Sequence, residues 1–384
     1  MAVERPGAGE PPMMDTDTAV PPPARRSVLP HWRVVLSKIG HFVPAIFLFV
    51  LAIQLMKKGA GALSPLLQDS GFFDNGVSTL GLGWLGAYVV LSGSPIAATA
   101  LTLHNGGGIN ELQTFTMLSG SRMGASFIVL LVGFIYFLRS QDRKQSLGMG
   151  VLALSMTAVV YIPGMLLGYG ILKSGFLDGV NWTASGELQG FIDVGWGWAT
   201  SLLGDHVPAG LLFPIGLGII LVSFKLLDRV LPELDGEKHA GHRGHWMKKP
   251  WPMFGLGCLA ALLTLSVSVA LTALVPLAAK GYVNRREALP YIAGANITTL
   301  ADTLVAAMLL ERATAAQVVL AEAIGVAFVT LVLLAFAYGP LQRAVIGLDD
   351  WVIQTNRRMY LFVGVLFLVP LALMAVGRLI GPTG

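Results

Sequence analysis

Two kinds of polar stretch interrupt otherwise apolar sequence and are the first candidates for chemistry. The stretch PYIAGANITTLAD, residues 290–302, holds a glycine, an asparagine, two adjacent threonines and an aspartate. Two serine pairs lie in similar surroundings, Ser92 with Ser94 in LSGSP and Ser266 with Ser268 in LSVS. Because lipid offers no hydrogen bonds, these groups need partners inside the protein or in a bound ligand.

Small ions are the ligands that these residue types suit. Hydroxyls at a helix break, beside free backbone N–H groups, suit an oxyanion, whereas hydroxyls and unwound carbonyls suit Na⁺. The alternative is that the small residues allow close helix packing and that the asparagine and threonines bond neighbouring helices. The residues predicted to bind substrate are Ser92, Ser94, Arg122, Ser266, Ser268, Thr272 and Asn296. Those predicted to bind Na⁺ are Ser268, Asn296, Thr298, Thr299 and Asp302.

Three ionisable residues lie well inside apolar segments, where charge is costly and often functional. Arg122 suits a bidentate contact with an anion. Asp302 follows the Asn296 stretch closely, and an ion pair between Arg122 and Asp302 is an equally good interpretation of both residues. For Glu322 we favour a structural or water-facing role over a role in coupling.

The sequence shows no nucleophile–base set, phosphate-binding loop or zinc pattern, so we expect neither an enzyme nor a bound cofactor. His239, His242 and His245 are spaced by three, but their loop is basic and rich in glycine, which favours a solvated loop over a metal site. Cys258 is the single cysteine and excludes an intrachain disulfide.

The composition predicts an all-α integral membrane protein. Of the 384 residues, 54% are hydrophobic and only 12% are charged. The net charge of +4 is small, and most basic residues lie near segment ends, which argues against nucleic-acid binding. The proline-rich, acidic residues 1–30 predict a disordered tail, and the basic residues that follow it place the N-terminus in the cytoplasm.

Nine apolar segments follow the tail, and two of them are broken at their centres. Segments 82–103 and 252–279 carry the serine pairs at mid-length, so that each half is about 15 Å long as a helix, half of the hydrocarbon thickness. We expect both to be re-entrant hairpins buried in protein. The other seven segments are predicted spans, at 42–56, 113–138, 148–172, 208–231, 287–310, 315–338 and 359–381.

Loop charges predict that the two hairpins enter from opposite sides. The loops near residues 139–144 and 232–250 are basic and therefore cytoplasmic, whereas residues 173–205 are acidic and therefore outside. The stretch 91–126 aligns with 265–300 without gaps, and both serine pairs coincide in this alignment. Inverted repeats with paired broken helices are typical of transporters.

These observations predict two inverted repeats, each with a re-entrant helical hairpin and spanning helices. The expected organisation is a cytoplasmic tail (1–30), a first transporter repeat (31–172), an extracytoplasmic linker (173–205), a second repeat (206–338) and a C-terminal segment with a last spanning helix (339–384). Within the last segment, residues 340–358 are either an interfacial helix or a further span.

Three stretches resemble the type II sodium–phosphate cotransporter family, including its bacterial members. IFLFVLAIQLMKKGAGALSPLL (46–67) resembles the family's first helix, LSGSPIAATALTL (91–103) its first hairpin, and SVSVALTALVPLAAKGYVNRREALPYIAGANITT (266–299) its second hairpin and Gly-Ala-Asn-Ile signature. The family's hairpins carry Gln-Ser-Ser-Ser, which the resemblance assigns to sodium and phosphate. Here Leu91 and Leu265 replace the glutamines, and Gly93 and Val267 replace the middle serines.

The resemblance implies Na⁺-coupled symport of inorganic phosphate into the cell, through a multi-pass protein of the plasma (inner) membrane. Phosphate or a similar small anion, Na⁺ and the lipid bilayer are then the expected partners, and a homo-oligomer is left open. Since the Gln-Ser-Ser-Ser motifs are degenerate, another small solute or H⁺ coupling is an alternative. A transport-inactive sensor or scaffold on the same fold is the alternative from a different class.

Overall fold

The computed structural model describes residues 31–140, 143–230 and 249–382, and these residues fold into helices without a strand. The predicted tail of residues 1–30 and the three histidines of the basic loop lie outside the described residues. Sixteen helices are described. Those of the first half are α1 (His31–Asp69), α2 (Gly76–Val90), α3 (Ser94–Asn105), α4 (Glu111–Ala125), α5 (Phe127–Ser140), α6 (Arg143–Lys173), α7 (Gly186–His206) and α8 (Ala209–Val230).

The helices of the second half follow after residue 249. They are α9 (Pro250–Thr264), α10 (Val267–Thr272), α11 (Leu274–Ala279), α12 (Arg285–Thr298), α13 (Leu300–Met308), α14 (Ala313–Phe336), α15 (Tyr338–Ile353) and α16 (Asn356–Ile380). Helix α7 lies inside the segment that the sequence analysis treated as a linker, so that the linker is helical over much of its length.

Six of the described segments are long and apolar enough to cross a membrane. They are Gly40–Leu67, Glu111–Leu138, Ser146–Lys173, Ala209–Leu227, Ala313–Phe336 and Asn356–Ile380. The seventh expected span, 287–310, is not among them, because its first helix, α12, carries many polar residues. It is also divided at Thr299 into α12 and α13. Residues 338–353 form the sixteen-residue helix α15, which is also outside this set.

Two further apolar segments break where the sequence places the serine pairs. The first break, residues 91–93, separates α2 from α3, and the second break, residues 265–266, separates α9 from α10. Each begins with a leucine in the left-handed region, Leu91 at φ 57° and Leu265 at φ 46°. Among the described residues these are the two non-glycine residues with positive φ. A bulky residue there costs free energy, so surrounding packing must hold both breaks in place.

The same close helix contacts recur in the two halves of the chain, in the register that aligns 91–126 with 265–300. In each, a glycine lies so near a backbone carbonyl of the partner helix that a methyl group would come within 2.1 Å of it. One pair of contacts is Gly83 with Met117 and Gly257 with Tyr291; the other is Gly120 with Leu80 and Gly294 with Phe254. Helices α2 and α4 therefore pack through the same positions as α9 and α12.

The helix starts after the two breaks also match. Asn110 caps α4 through a box with Gln113, and Asn284 caps α12 through a box with Glu287. In both boxes the cap side chain accepts a bond from the backbone N–H of the third helical residue. The side-chain oxygen of that third residue accepts a bond from the backbone N–H of the cap. A local sequence signal thus fixes the same helix start once in each half.

Two hydrophobic cores meet at α4 and α14. The first contains residues of α4, α6, α9 to α12 and α14, including Met123 and Val326. The second contains residues of α1, α3, α4, α8, α13 and α14, including Leu118 and Ala315. Polar side chains on α4 and α14 are therefore enclosed by apolar packing on both sides.

Candidate functional site

A buried arginine links elements from both halves of the chain. The side chain of Arg122, on α4, is 0% exposed. Its Nη1 donates to the hydroxyl oxygens of Ser94 and Thr299, at 3.3 and 3.2 Å. Its Nη2 donates to Asp302 Oδ1 at 3.3 Å and to the Thr303 hydroxyl. The ion pair between Arg122 and Asp302, one of the two interpretations of the sequence, is thus present.

Local structure explains how these partners reach Arg122. Ser94 is the first residue of α3, directly after the first break, and Gly93 lets that break approach α4: a methyl group there would lie 2.6 Å from the Ser121 carbonyl. Thr299 lies between α12 and α13, and Asp302 is in the first turn of α13. A helix start, a helix junction and a first turn therefore converge on one guanidinium.

The cluster retains unused hydrogen-bonding capacity. Among the described residues, Arg122 Nε and Asp302 Oδ2 are buried atoms without a hydrogen-bond partner. Buried polar groups are almost always bonded, so orphaned atoms in a native structure need an explanation. A small bound ion would use such a free donor or acceptor.

The second break contacts the first. Ser266 caps α10 by accepting a bond from the backbone N–H of Val269, 3.3 Å away. Ser268 donates from its hydroxyl to the carbonyl of Leu91 at 3.4 Å. Thr272 donates to the carbonyl of Val269 within its own helix, at 3.1 Å. The two predicted hairpin tips therefore lie against each other, although Thr272 is occupied locally.

Asn296 heads a separate polar chain. Its Nδ2 donates to the Thr157 hydroxyl at 3.0 Å, and Thr157 in turn bonds the Ser126 hydroxyl at 2.7 Å. The Tyr161 hydroxyl donates to the Asn296 backbone carbonyl at 2.8 Å. Ser126, Thr157 and Tyr161 are not among the residues predicted from the sequence, because a lone hydroxyl in an apolar segment carries no spacing signal.

The two adjacent threonines of the signature take different directions. Thr299 contacts Arg122, whereas Thr298 donates to the carbonyls of Cys258 and Gly294, at 2.9 and 3.4 Å. Ser92 is half-buried and lies inside the first break. Thr303, which the sequence analysis missed, joins the cluster and could have been selected as the neighbour of Asp302.

A second buried carboxylate lies near the cluster. Glu322, on α14, is 0% exposed, and its Oε2 lies 2.7 Å from the Ser119 hydroxyl. Ser119 is on α4, one turn before Arg122. Two carboxylates and one guanidinium therefore share the interior between the two cores.

A surface cavity opens at the C-terminal end of α3 and the N-terminal end of α14. It measures about 730 Å³, and its polar lining residues are Asp74, His104, Asn110, Glu111, Gln113 and Arg312. His104 Nε2 is 2.8 Å from the Thr314 hydroxyl, which ties the end of α3 to the start of α14. The cavity therefore adjoins the two helices that bear Ser94 and Glu322.

Residues 219–378 match the family model described as Na+/Pi-cotransporter. This match supports assignment of the chain to the sodium–phosphate cotransporter family. No curated protein and no solved structure matches the chain.

The matched range contains much of the candidate site. It includes the second break, the signature with Asn296 and Thr299, and the carboxylates Asp302 and Glu322. Arg122 and the first break lie before it. The matching family is a family of transporters rather than of enzymes, and the six apolar segments indicate a membrane protein.

Proposed function

We propose that the protein is a secondary active transporter that takes up inorganic phosphate, or a closely similar small anion, together with Na⁺ across the plasma membrane. The observation that carries the proposal is the buried guanidinium of Arg122, which is held by hydroxyls from the first break and from the Thr299 junction. An enclosed cation surrounded by hydroxyl groups is suited to a small oxyanion.

The anion would bind where the first break and the Thr299 junction meet α4. Arg122 Nε has no partner among the described residues, and the hydroxyls of Ser94 and Thr299 lie on the same guanidinium. Hydroxyls donate as readily as they accept, so the same set can rotate to bond phosphate oxygens. The ion pair with Asp302 then neutralises Arg122 while the site is empty.

The groups that suit Na⁺ lie next to this position. The Leu91 carbonyl belongs to the first break and is within 3.4 Å of the Ser268 hydroxyl. Asp302 Oδ2 is a buried carboxylate oxygen without a partner in the described residues. Carbonyl, hydroxyl and carboxylate oxygens are the ligands of small hard cations at broken helices.

Movement of the two repeats against each other would alternate access to the site. The recurring glycine contacts make α2 with α4, and α9 with α12, two similar tightly packed units. Such units suit rigid-body motion around a central site, with opposite membrane orientation supplied by the loop charges.

Radiolabelled phosphate uptake into proteoliposomes tests the proposal. We expect uptake with an inward Na⁺ gradient, and little uptake when choline replaces Na⁺ or when an ionophore dissipates the gradient. Ser94→Ala should weaken uptake, whereas Ser121→Ala, which removes a hydroxyl bonded within its own helix, should not. Absence of phosphate uptake under Na⁺ and under pH gradients would favour a sensor or scaffold instead.

A further inference from the structure

The two carboxyl oxygens of Glu322 have fewer hydrogen-bond donors around them than an ionised carboxylate requires. Its Oε1 is buried and has no partner among the described residues. Its Oε2 has one neighbour, the hydroxyl of Ser119, at 2.7 Å. The side chain lies ten residues inside α14, far from either end of that span.

The Ser119 hydroxyl has two acceptors and one proton. It lies 2.9 Å from the Phe115 carbonyl of its own helix and 2.7 Å from Glu322 Oε2. If Glu322 is ionised, Ser119 must leave one of these acceptors without its proton. If Glu322 is protonated, its own O–H donates to Ser119 while Ser119 donates to Phe115, so that each contact has a proton. The geometry therefore fits the protonated acid.

The balance of buried charges also favours a protonated Glu322. Among the residues whose burial is described, Arg122 is the one buried lysine or arginine, and it pairs with Asp302. An ionised Glu322 would leave the enclosed cluster with one excess negative charge. Uncompensated charge in such a medium is strongly disfavoured, and this charge would also repel an entering anion. A proton on Glu322 removes both costs.

Glu322 is 0% exposed, so bulk water does not reach its carboxyl group in this structure. Helices α6 and α14 approach so closely that a methyl group on Gly168 would lie 3.2 Å from the Glu322 Cα. The neighbouring charged or titratable groups are Arg122 on α4, Tyr161 on α6 and Asp302 on α13. On the other helices packed against α14, His104 of α3 bonds Thr314 at the start of the span, and Arg285 of α12 pairs with Asp349 of α15. Tyr291 of α12 donates to the Ala270 carbonyl.

We propose that closure of the site over its anion requires a proton on Glu322, and that Glu322 releases this proton when the site opens to water, so that anion transport is coupled to protons. This inference rests on the proposed transport function and adds a second coupling ion to it. On protonation, Glu322 Oε2 changes from acceptor to donor in its hydrogen bond with the Ser119 hydroxyl. The added proton is the only covalent change.

Proton uptake on phosphate binding tests this inference without requiring transport. The purified protein in weakly buffered detergent solution receives inorganic phosphate while an indicator dye reports the proton change. Wild type should take up more protons than Glu322→Gln at equal phosphate occupancy, because the protons of phosphate itself cancel in the comparison. Glu322→Asp should retain part of the difference. Glu311→Gln, an exposed glutamate beside Lys57, is the matched control and should behave as wild type.

Uptake into proteoliposomes gives the second measurement. With external pH and Na⁺ held constant, a more alkaline interior should accelerate phosphate uptake by wild type and by Glu311→Gln, and should leave Glu322→Gln uptake unchanged. An identical proton change and an identical pH response in wild type and Glu322→Gln would overturn the inference. A loss of Na⁺ affinity in Glu322→Gln with an unaltered proton change would also overturn it and assign Glu322 to Na⁺. Phosphate binding with normal proton uptake but no transport would instead count against the proposed function alone.

Discussion

The hydroxyl of Ser268 donates a hydrogen bond to the backbone carbonyl of Leu91, 177 residues earlier in the chain. One residue lies just after the second break, and the other begins the first break. This contact joins the two points at which apolar helices are interrupted. It is a polar contact between the two parts of the chain that align with each other without gaps.

Removing the Ser268 hydroxyl should weaken ion binding more than stability. A lost hydrogen bond to a charged ligand is worth about 1.5–3 kcal/mol, or roughly tenfold to a hundredfold in affinity. Ser268→Ala and Ser94→Ala should therefore raise the phosphate or Na⁺ concentration for half-maximal uptake at least roughly tenfold, with little change in melting temperature. Unaltered kinetics in both variants would show that these serines only pack.

The Arg122–Asp302 pair should be a strong contributor to stability. Replacing Arg122 with Met leaves the Asp302 carboxylate buried without its cation, which typically costs roughly 3–5 kcal/mol. The double variant Arg122→Met/Asp302→Asn should regain much of the free energy of unfolding while remaining inactive in transport. Thermal unfolding in detergent measures both effects. A single Arg122 variant as stable and active as wild type would contradict the pairing and the anion site together.

Adding a methyl group at the repeated glycines should disrupt each unit separately. Gly120→Ala and Gly294→Ala would each place a methyl 2.1 Å from a backbone carbonyl, so the helices would have to separate. Overpacking of this kind costs about 1–3 kcal/mol or more. Gly255→Ala is the control, since nothing lies within 4 Å of it and alanine favours helix by about 1 kcal/mol. Equal melting temperatures for all three variants would reject the close contacts.

The opposite orientation of the two units is open to a labelling test. Phe72→Cys and Trp251→Cys, in a Cys258→Ala background, place thiols at exposed sites just before α2 and at the start of α9. In intact cells an impermeant thiol reagent should label the first position, and the second should react only after permeabilisation. Labelling of both positions from the same side would contradict the inverted arrangement.

The contact between α12 and α15 should make stability depend on pH. Arg285 Nη1 lies 2.7 Å from oxygens of both Asp349 and Asp350, and Asp349 is 0% exposed. Burial raises the pKa of Asp349 to about 7, against the opposing effect of Arg285. Since the folded state then holds this proton more tightly than the unfolded chain, the contribution of Asp349 to stability falls as the pH rises from about 4 to about 7. Asp349→Asn should flatten this dependence in thermal unfolding, and a profile identical to wild type would contradict the assignment.

Much of the architecture could be predicted from local pattern. Long apolar segments predicted the helical membrane class, and Ser92 with Ser94, and Ser266 with Ser268, marked the positions of both breaks. The expected span 287–310 is less apolar than the six long segments, because polar side chains fill α12, and a junction at Thr299 divides it into two helices. The linker helix α7 was missed because the acidic residues of that segment were interpreted as a loop.

The sequence by itself determined the polarity of each segment, the positions of the breaks and the spacing of the repeat, since these depend on neighbouring residues and on hydrophobic pattern. Tertiary structure decided which side chains meet. Thr298 and Thr299 are adjacent, yet one bonds the Cys258 carbonyl and the other Arg122, because their directions around the helix differ and their partners come from distant helices. For the same reason Ser119 and Glu322, 203 residues apart, form a contact that no spacing predicts, since only the packing of α4 against α14 brings them together.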